Sequence, residues 1–93
     1  MNKRELTAAV AERTGTTIKA AEEHVAAFFA VIGDTVASGE QVAITGFGKF
    51  ERVQRPERQS RNPATGERIT VPATYAPKFR AGEVFKSNVK TNR

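Results

Sequence analysis

The chain has 93 residues and a formal net charge of +5, which is the size of one small domain that buries barely enough surface to be stable alone. It contains no cysteine, so disulfide scaffolds, thiolate zinc sites and thiol redox catalysis are excluded. The opening residues show no signal-peptide core, and the longest apolar run, VAAFFAVI, is too short to cross a bilayer. We therefore expect a cytoplasmic protein without a membrane partner.

The charge is divided unevenly along the chain. Residues 1–40 carry four basic and six acidic side chains, a net charge of −2, whereas residues 41–93 carry eleven basic and four acidic ones, a net charge of +7. Such asymmetry is typical of proteins that bind nucleic acid or a membrane surface. The first part is therefore interpreted as a scaffold and the second as a surface for a polyanion.

The first predicted helix spans about Lys3 to Thr14. Asn2 and Glu5 have the spacing of a capping box, in which each side chain satisfies a free amide at the start of a helix. Apolar residues then recur every three or four positions until Gly15, a residue type that commonly ends helices. This segment therefore carries both a start and a stop signal.

The second predicted helix begins after a cap at Thr16 or Thr17, runs to Ser38 and ends at Gly39. Its stretch VAAFFAVI is apolar all round, and a helix of that kind must be buried on more than one side. Two helices and a small sheet cannot surround it within one chain of this length, so we predict an obligate homodimer whose second helices pack together. Small side chains permit this close approach, namely Ala26, Ala30 and Gly33.

The remainder of the chain predicts a small antiparallel sheet and a short C-terminal helix. QVAIT alternates as a strand should, GFGKF turns the chain around Phe47, and KFERV begins a second strand. ITVPATYAPKF returns to β-type residues, and after Gly82 the segment EVFKSNVK has helical spacing. The expected organisation is a single domain, 1–93, with a helical dimerisation part over 1–40, a sheet over 41–80 and the C-terminal helix over 81–93.

A projecting β-arm is predicted over about residues 53–72. From Gln54 to Arg68 the only apolar side chains are Ala64 and two prolines. A hairpin without apolar residues has no core to bury, so this segment should project and stay mobile until something binds it.

Arginines spaced by three make both faces of the arm cationic. Side chains alternate along a strand, so Arg55 and Arg61 should face one side and Arg52 and Arg58 the other. A flat protein surface could engage only one face, whereas a narrow groove lined by phosphates on both walls engages both. The minor groove of DNA, about 6 Å wide and strongly negative, suits such a ribbon.

The arm tip, RNPATG, has the composition of a turn. Pro63 suits the first corner, Asn62 and Thr65 can bond the local backbone, and Gly66 can adopt a positive φ. Pro63 then acts either as a turn former alone or as a rigid apolar wedge between stacked bases. On the physics of the sequence alone, the turn former is favoured.

The segment GFGKFERVQRPERQSRNPATG, residues 46–66, resembles the signature of the bacterial histone-like HU/IHF family, and the similarity extends over the whole chain. The resemblance implies an α+β fold: an intertwined homodimer with a helical base, a small antiparallel sheet saddle, a protruding β-arm per subunit and a short C-terminal helix. It also implies a nucleoid-associated protein that binds double-stranded DNA through the minor groove with little sequence preference, bending and compacting it. The wedge role of Pro63 is implied by this family, in which such wedges are established.

The resemblance also implies site residues by position. The expected DNA contacts of the arm and its flanks are Arg52, Arg55, Arg58, Arg61, Asn62, Pro63 and Arg68. Two lysines match basic sites on the body that hold the outer phosphates of a bent duplex, Lys3 and Lys86. The expected dimer core combines four aromatic residues implied by the family with two from the apolar face of the second helix: Phe29, Phe47, Phe50 and Phe79, together with Phe28 and Ile32.

Two positions depart from the family pattern. Ser60 stands where the family usually has glycine or alanine, and it is expected to stiffen the arm or to add a phosphate hydrogen bond. Glu83 stands where many members carry a basic residue, and it is expected to weaken the grip on the outer flanks of the DNA.

Other function classes suit the sequence less well. A helix-turn-helix reader is disfavoured because residues 18–38 carry a net charge of −2, which phosphate repels. RNA binding through the basic arms stays open, although core packing explains six of the seven aromatic residues and leaves Tyr75 as a weak stacking platform. His24 is the only histidine, no pair of carboxylates invites acid–base work, and GFG matches neither a dinucleotide fingerprint nor a P-loop. We therefore expect no enzyme, cofactor, metal site or small-molecule substrate.

Overall fold

The computed structural model describes residues 1–91. Within them, three helices and five strands follow one another as α1 (Lys3–Thr14), α2 (Ile18–Ala37), β1 (Val42–Ile44), β2 (Gly48–Arg55), β3 (Arg58–Arg61), β4 (Arg68–Val71), β5 (Thr74–Ala81) and α3 (Glu83–Thr91). The last two positions of the predicted C-terminal segment 81–93 lie outside the described residues. The described chain divides into two compact units, residues 1–34 and the residues from Thr35 onwards.

Helix α1 has the predicted bounds because both of its ends are capped locally. Asn2 Oδ1 accepts a hydrogen bond from the Glu5 amide at 2.8 Å, which satisfies one of the free donors of the first turn. At the other end Gly15 takes the left-handed conformation, with φ 68°, and its amide bonds back to the last turn. The predicted cap at Asn2 and the glycine stop are therefore confirmed.

Helix α2 is capped at its start by Thr17, whose Oγ1 accepts from the Ala20 amide at 3.1 Å. It ends at Ala37, one residue before the predicted end. The Gly39 amide donates to the Val36 carbonyl at 3.0 Å, and Gly39 has φ 100°. The glycine stop after the second helix is thus also confirmed.

Two separate antiparallel sheets form in the second unit. Strands β1, β2 and β5 make a three-stranded sheet in which β2 lies in the centre, and we call it the body sheet. Its longest ladder joins β2 to β5 from the pair Gly48–Ala81 to the pair Arg55–Thr74. Strands β3 and β4 make a two-stranded sheet of their own. The second unit therefore contains a central sheet and a distinct hairpin.

An aromatic cluster packs beside the body sheet. The Phe79 ring lies 4.8 Å from Phe50, 5.4 Å from Phe47 and 6.3 Å from Phe85, measured between ring centroids. Phe47 stacks on Phe85 at 4.9 Å. Ring pairs at these distances attract one another in addition to burying apolar surface. The cluster therefore joins the β1–β2 turn, the sheet and α3 into one packed body.

The apolar side chains of the first unit are poorly covered by the chain itself. Among residues 1–91 only four apolar residues are buried, namely Ala11, Ala21, Val25 and Val36. By contrast, 55% of Phe28 and 46% of Phe29 remain exposed, and their rings meet edge to face at 5.7 Å. Large aromatic side chains left open in this way mark an interaction surface, as the predicted homodimer requires.

Candidate nucleic-acid interface

The arm comprises residues 56–73, that is, the β3–β4 hairpin and the short segments that connect it to the body sheet. Its ladder pairs Arg58 with Val71 at the base and Arg61 with Arg68 at the tip. The ladder contains three arginines and no acidic residue. The predicted arm of about residues 53–72 thus includes the end of β2 as well as this hairpin.

The arginines of the arm are exposed to solvent. Arg58, Arg61 and Arg68 are exposed, and so is Arg55 in the last pair of the body sheet. None of these four takes part in an ion pair with another residue of the described chain 1–91. Their charges are therefore available to an external anion.

The arm tip is a hydrogen-bonded turn around Pro63. Asn62 Oδ1 accepts from the Ala64 amide at 2.9 Å, and the Asn62 carbonyl accepts from the Gly66 amide at 2.7 Å. Gly66 has φ 74°, a conformation that glycine adopts without strain. The turn roles predicted for these residues are confirmed, and they hold the exposed Pro63 at the end of the hairpin.

Arg52 lies in a different environment from the arm arginines. Its guanidinium carbon lies 3.9 Å from the centroid of the Tyr75 ring, and its Nη1 donates to the Ala37 carbonyl at 3.2 Å. Arg52 therefore contacts the body of the protein. Other predicted DNA contacts lie together in β3 and the arm tip, namely Arg58, Arg61, Asn62 and Pro63.

Two further cations share one carboxylate on the body sheet. Arg80 Nε lies 2.6 Å from Glu51 Oε1, and Lys49 Nζ lies 3.7 Å from Glu51 Oε2. The hydrogen bond from Arg80 and the charges of Arg80 and Lys49 hold the pKa of Glu51 below its ordinary value, against the opposing effect of desolvation. Lys49 and Arg80 were not predicted as site residues, although both stand beside the phenylalanines of KFE and KFR.

The two predicted body lysines lie in different units. Lys3 is the exposed first residue of α1. Lys86 lies in α3, where its Nζ is 3.7 Å from Glu83 Oε1. Lys86 also lines an open cleft together with Lys49 and Arg80. Glu83, the acidic residue that departs from the family pattern, thus partly neutralises the charge of Lys86, which is a predicted DNA contact.

The predicted dimer-core residues fall into two groups. Phe47, Phe50 and Phe79 belong to the aromatic cluster of the second unit. Phe28, Phe29 and Ile32 belong to α2, where Phe28 and Phe29 line an apolar groove with residues of both helices: Leu6, Val10, His24 and Val25.

Comparison with known proteins connects these features to a family. The family described as bacterial DNA-binding protein matches residues 1–90. The DNA-binding protein HU of Lactococcus lactis is 47% identical over 89 residues, which cover 96% of this chain and 98% of the relative. The DNA-binding protein HU 2 of Streptomyces coelicolor is 45% identical over all 93 residues, but this chain spans only 42% of that longer protein.

A solved structure supports the same relationship. The Anabaena HU protein, in its cocrystal structure with DNA, is similar with a TM-score of 0.94 and 43% sequence identity over 98% of this chain and 99% of that one. The expected α+β fold with β-arms is therefore confirmed. HU proteins are dimeric and are structural DNA-binding proteins, not enzymes. The chain therefore belongs to the bacterial DNA-binding proteins of the HU family.

Proposed function

We propose that this chain is an architectural protein that forms homodimers, grips duplex DNA through the minor groove with little sequence preference, and bends and compacts it. The observation that carries the proposal is the arm, whose exposed arginines form no ion pair within residues 1–91. Because each neutralised phosphate releases condensed counterions, such a ribbon gains affinity from any DNA sequence. No cofactor or small-molecule substrate enters this function.

The alternating direction of the side chains along the arm supports binding inside a groove. Arg58 and Arg61 are three positions apart in β3, so their side chains leave opposite faces of the ribbon. Inside a narrow groove both faces meet phosphates, whereas on a flat surface one face would stay in water. The minor groove, about 6 Å wide, presents an almost degenerate base pattern, which accounts for the low sequence preference.

The tip of the ladder holds two like charges directly opposite each other. Arg61 pairs with Arg68 across β3 and β4. Like charges at opposed positions destabilise a sheet, and an anion between them reverses the sign of that effect. We propose that a backbone phosphate takes this place, so that Arg61, Arg68 and Asn62 grip the DNA where Pro63 enters it.

In the proposed complex Pro63 is the wedge that enters the DNA between two base pairs. The bonds of Asn62 fix the turn, and the exposed pyrrolidine ring is rigid and apolar. Inserted between two base pairs, such a ring unstacks them and kinks the duplex, at a cost of about a few kcal/mol that the added contacts of a bent duplex offset. Lys3 and Lys86 then hold the phosphates of the bent flanks.

The homodimer supplies two arms for one duplex. The exposed aromatic face of α2, with Phe28 and Phe29, is the surface that we expect the second subunit to cover, together with Ile32 and the cluster of Phe47, Phe50 and Phe79. In the described chain no helix has both the length and the hydropathy for a membrane span. We expect the homodimer on the nucleoid in the cytoplasm, where its DNA partner is.

A mobility-shift titration across a range of salt concentrations tests the function. The probes are random-sequence duplex DNA, the same duplex with a nick, and a matched duplex RNA. We expect binding to DNA that falls steeply with salt, and tighter binding to the nicked duplex because it bends more easily. Equal or tighter binding to RNA would contradict the minor-groove proposal, because A-form RNA has a wide, shallow minor groove.

Two variants separate the electrostatic contribution to DNA affinity from the bending of the DNA. Pro63→Ala removes the wedge but no charge, so we expect energy transfer between the labelled ends of a bent duplex to fall while the salt slope is retained. Arg61→Gln removes a charge but not the wedge, and it should flatten the salt slope. Arg13→Gln is the matched control because Arg13 belongs to α1 and not to the arm. Unchanged energy transfer in Pro63→Ala would rule out the wedge.

A further inference from the structure

Two groups in the second unit hold the guanidinium of Arg52. Its carbon lies 3.9 Å from the centroid of the Tyr75 ring, and its Nη1 donates to the Ala37 carbonyl at 3.2 Å. Its Nη2 lies only 2.9 Å from the place where a Cβ on Gly39 would stand. These contacts hold the guanidinium against the body, and the residue stays exposed to solvent.

The strand register explains how these groups meet. Arg52 pairs with Pro77 and Gln54 pairs with Tyr75 in the ladder of β2 and β5. Arg52 and Tyr75 are therefore diagonal neighbours on one face of the body sheet, within reach of a long side chain. A cation centred over an aromatic ring is attracted by the negative face of that ring.

The end of helix α2 supplies the second point of attachment. Ala37 is the last residue of α2, and carbonyls of the last turn have no partner within a helix. They also form the negative end of the helix dipole, which favours a cation. Gly39, with φ 100° and no side chain, leaves room for the guanidinium beside this carbonyl.

We infer that Arg52 is a positioning residue that fixes the base of the arm, and not a DNA contact. The ladder of β2 and β5 ends at the pair Arg55–Thr74, three residues beyond Arg52, and the arm begins immediately afterwards. By joining the end of α2, the ring of Tyr75 and strand β2, Arg52 sets the direction in which the arm leaves the body sheet. The inference rests on the proposed DNA-bending function, and it revises the expectation that Arg52 contacts the flanks of the bound DNA.

The contact itself can be tested without DNA, so this part of the test does not depend on the proposed function. In the full chain labelled with nitrogen-15, the ring current of Tyr75 should shift the Nε–H resonance of Arg52 away from its position in an unstructured peptide. Tyr75→Phe retains an aromatic ring and should retain the shift, whereas Tyr75→Leu should abolish it. A resonance that does not change in Tyr75→Leu would overturn the inference.

The role in DNA binding is tested by removing the same charge at two positions three residues apart. Arg55→Gln should lower the salt slope by about 0.9 for each lost phosphate contact, or by roughly 2 for the two subunits of a homodimer. Arg52→Gln should leave the slope unchanged, lower energy transfer across the bent duplex, and weaken affinity about two- to fivefold. Arg52→Lys, which keeps a cation for the ring and the carbonyl, should restore the bending.

The outcomes separate the two proposals. A salt slope that falls equally in Arg52→Gln and Arg55→Gln would show that Arg52 contacts phosphate and would overturn the inference. Unchanged bending in Arg52→Gln would overturn it as well. If the parent protein bound DNA without salt dependence or bending, the proposed function would fail, while the resonance measurement would still decide whether Arg52 is held by Tyr75.

Discussion

The body sheet and the arm are neighbouring antiparallel ladders of one chain, but their cations have different partners. On the body sheet, Lys49 and Arg80 share the carboxylate of Glu51, and Arg52 lies over Tyr75. In the arm, the exposed arginines have no ion-pair partner among residues 1–91. The number of basic residues in a region therefore does not locate a binding surface. A ligand can bind only those basic residues that are not already held by other groups of the protein.

The two ladders also differ in what stabilises them. Two phenylalanine rings of the body sheet pack with two more from the β1–β2 turn and α3. The arm ladder has no aromatic residue and only Ile69 and Val71 as large apolar side chains. An isolated two-stranded hairpin is at best marginally stable in water. The arm is thus specialised for contact and the body for stability, and substitutions in the two regions should affect different measurements.

The largest effect on DNA binding is expected when four cations without an ion-pair partner are removed from the arm and its base. A variant with Arg55, Arg58, Arg61 and Arg68 changed to Gln should lose DNA affinity on the order of a thousandfold or more, and its salt slope should fall by about 7 for eight lost contacts per homodimer. Mobility shifts across salt measure both quantities. A charge-matched control changes Arg4, Arg13, Lys78 and Lys90 to Gln, and an equal loss in this control would mean that net charge alone drives binding.

The second prediction addresses stability. Phe79→Ala removes the ring that contacts Phe47, Phe50 and Phe85, and it should lower the free energy of unfolding by about 3 kcal/mol. Ile69→Ala is the matched control in the arm, because the exposed fraction of Ile69, 45%, is close to the 39% of Phe79. We expect Ile69→Ala to cost less than about 1 kcal/mol. Urea denaturation at one fixed protein concentration measures both, and similar losses would contradict the division of roles.

A smaller effect is expected at the arm tip. Asn62→Ala removes the acceptor of the Ala64 amide, and a lost hydrogen bond worth about 1 kcal/mol should accelerate hydrogen exchange at that amide by roughly fivefold. Gln59→Ala is the control because it removes the cross-strand bond to Thr70 and leaves the turn intact. If exchange at Ala64 responded equally to both variants, the tip would not be held by Asn62. Bending by Pro63 should weaken in Asn62→Ala alone.

The smallest expected effect concerns the shared carboxylate of the body sheet. Because the pKa of Glu51 is below its ordinary value in the folded chain, its ion pairs stabilise the fold above the unfolded-state pKa, and this contribution is lost as pH falls through the folded value. Glu51→Gln should therefore lower the melting temperature slightly at pH 7, and the difference should shrink as pH falls through the lowered pKa of Glu51 in the folded chain. The control is Glu40→Gln, which removes an exposed acid without an ion pair in the described chain and should leave the melting temperature at pH 7 nearly unchanged.

Local chemistry explains which parts of the fold could be predicted. The bounds of α1 follow from Asn2, Glu5 and Gly15, which lie within a few residues of the backbone groups they satisfy. The tip around Pro63 was predictable for the same reason. The strands could be predicted from the alternation of apolar and polar side chains along the sequence, which needs no knowledge of distant residues.

Long-range partners could not be predicted in the same way. The sequence gives no sign that Arg52 meets Tyr75 and Ala37, because this meeting depends on the register of β2 against β5 and on where α2 ends. The regular spacing of four arginines suggested one continuous cationic strand. In the structure the ladder stops after Arg55 and resumes at Arg58, so that the series is split between two sheets.

The interruption between the two sheets has a mechanical consequence. Pro56 and Glu57 on one side, and Pro72 and Ala73 on the other, separate the last pair of the body sheet from the first pair of the arm. Proline has no amide hydrogen, so two of these four residues have no donor that a continuous ladder would use. We propose that Arg52 sets the direction of β2 up to this joint, and that the hairpin beyond the joint can bend without breaking a rung of either sheet. One arm can then follow DNA grooves of different width and direction while the body stays unchanged.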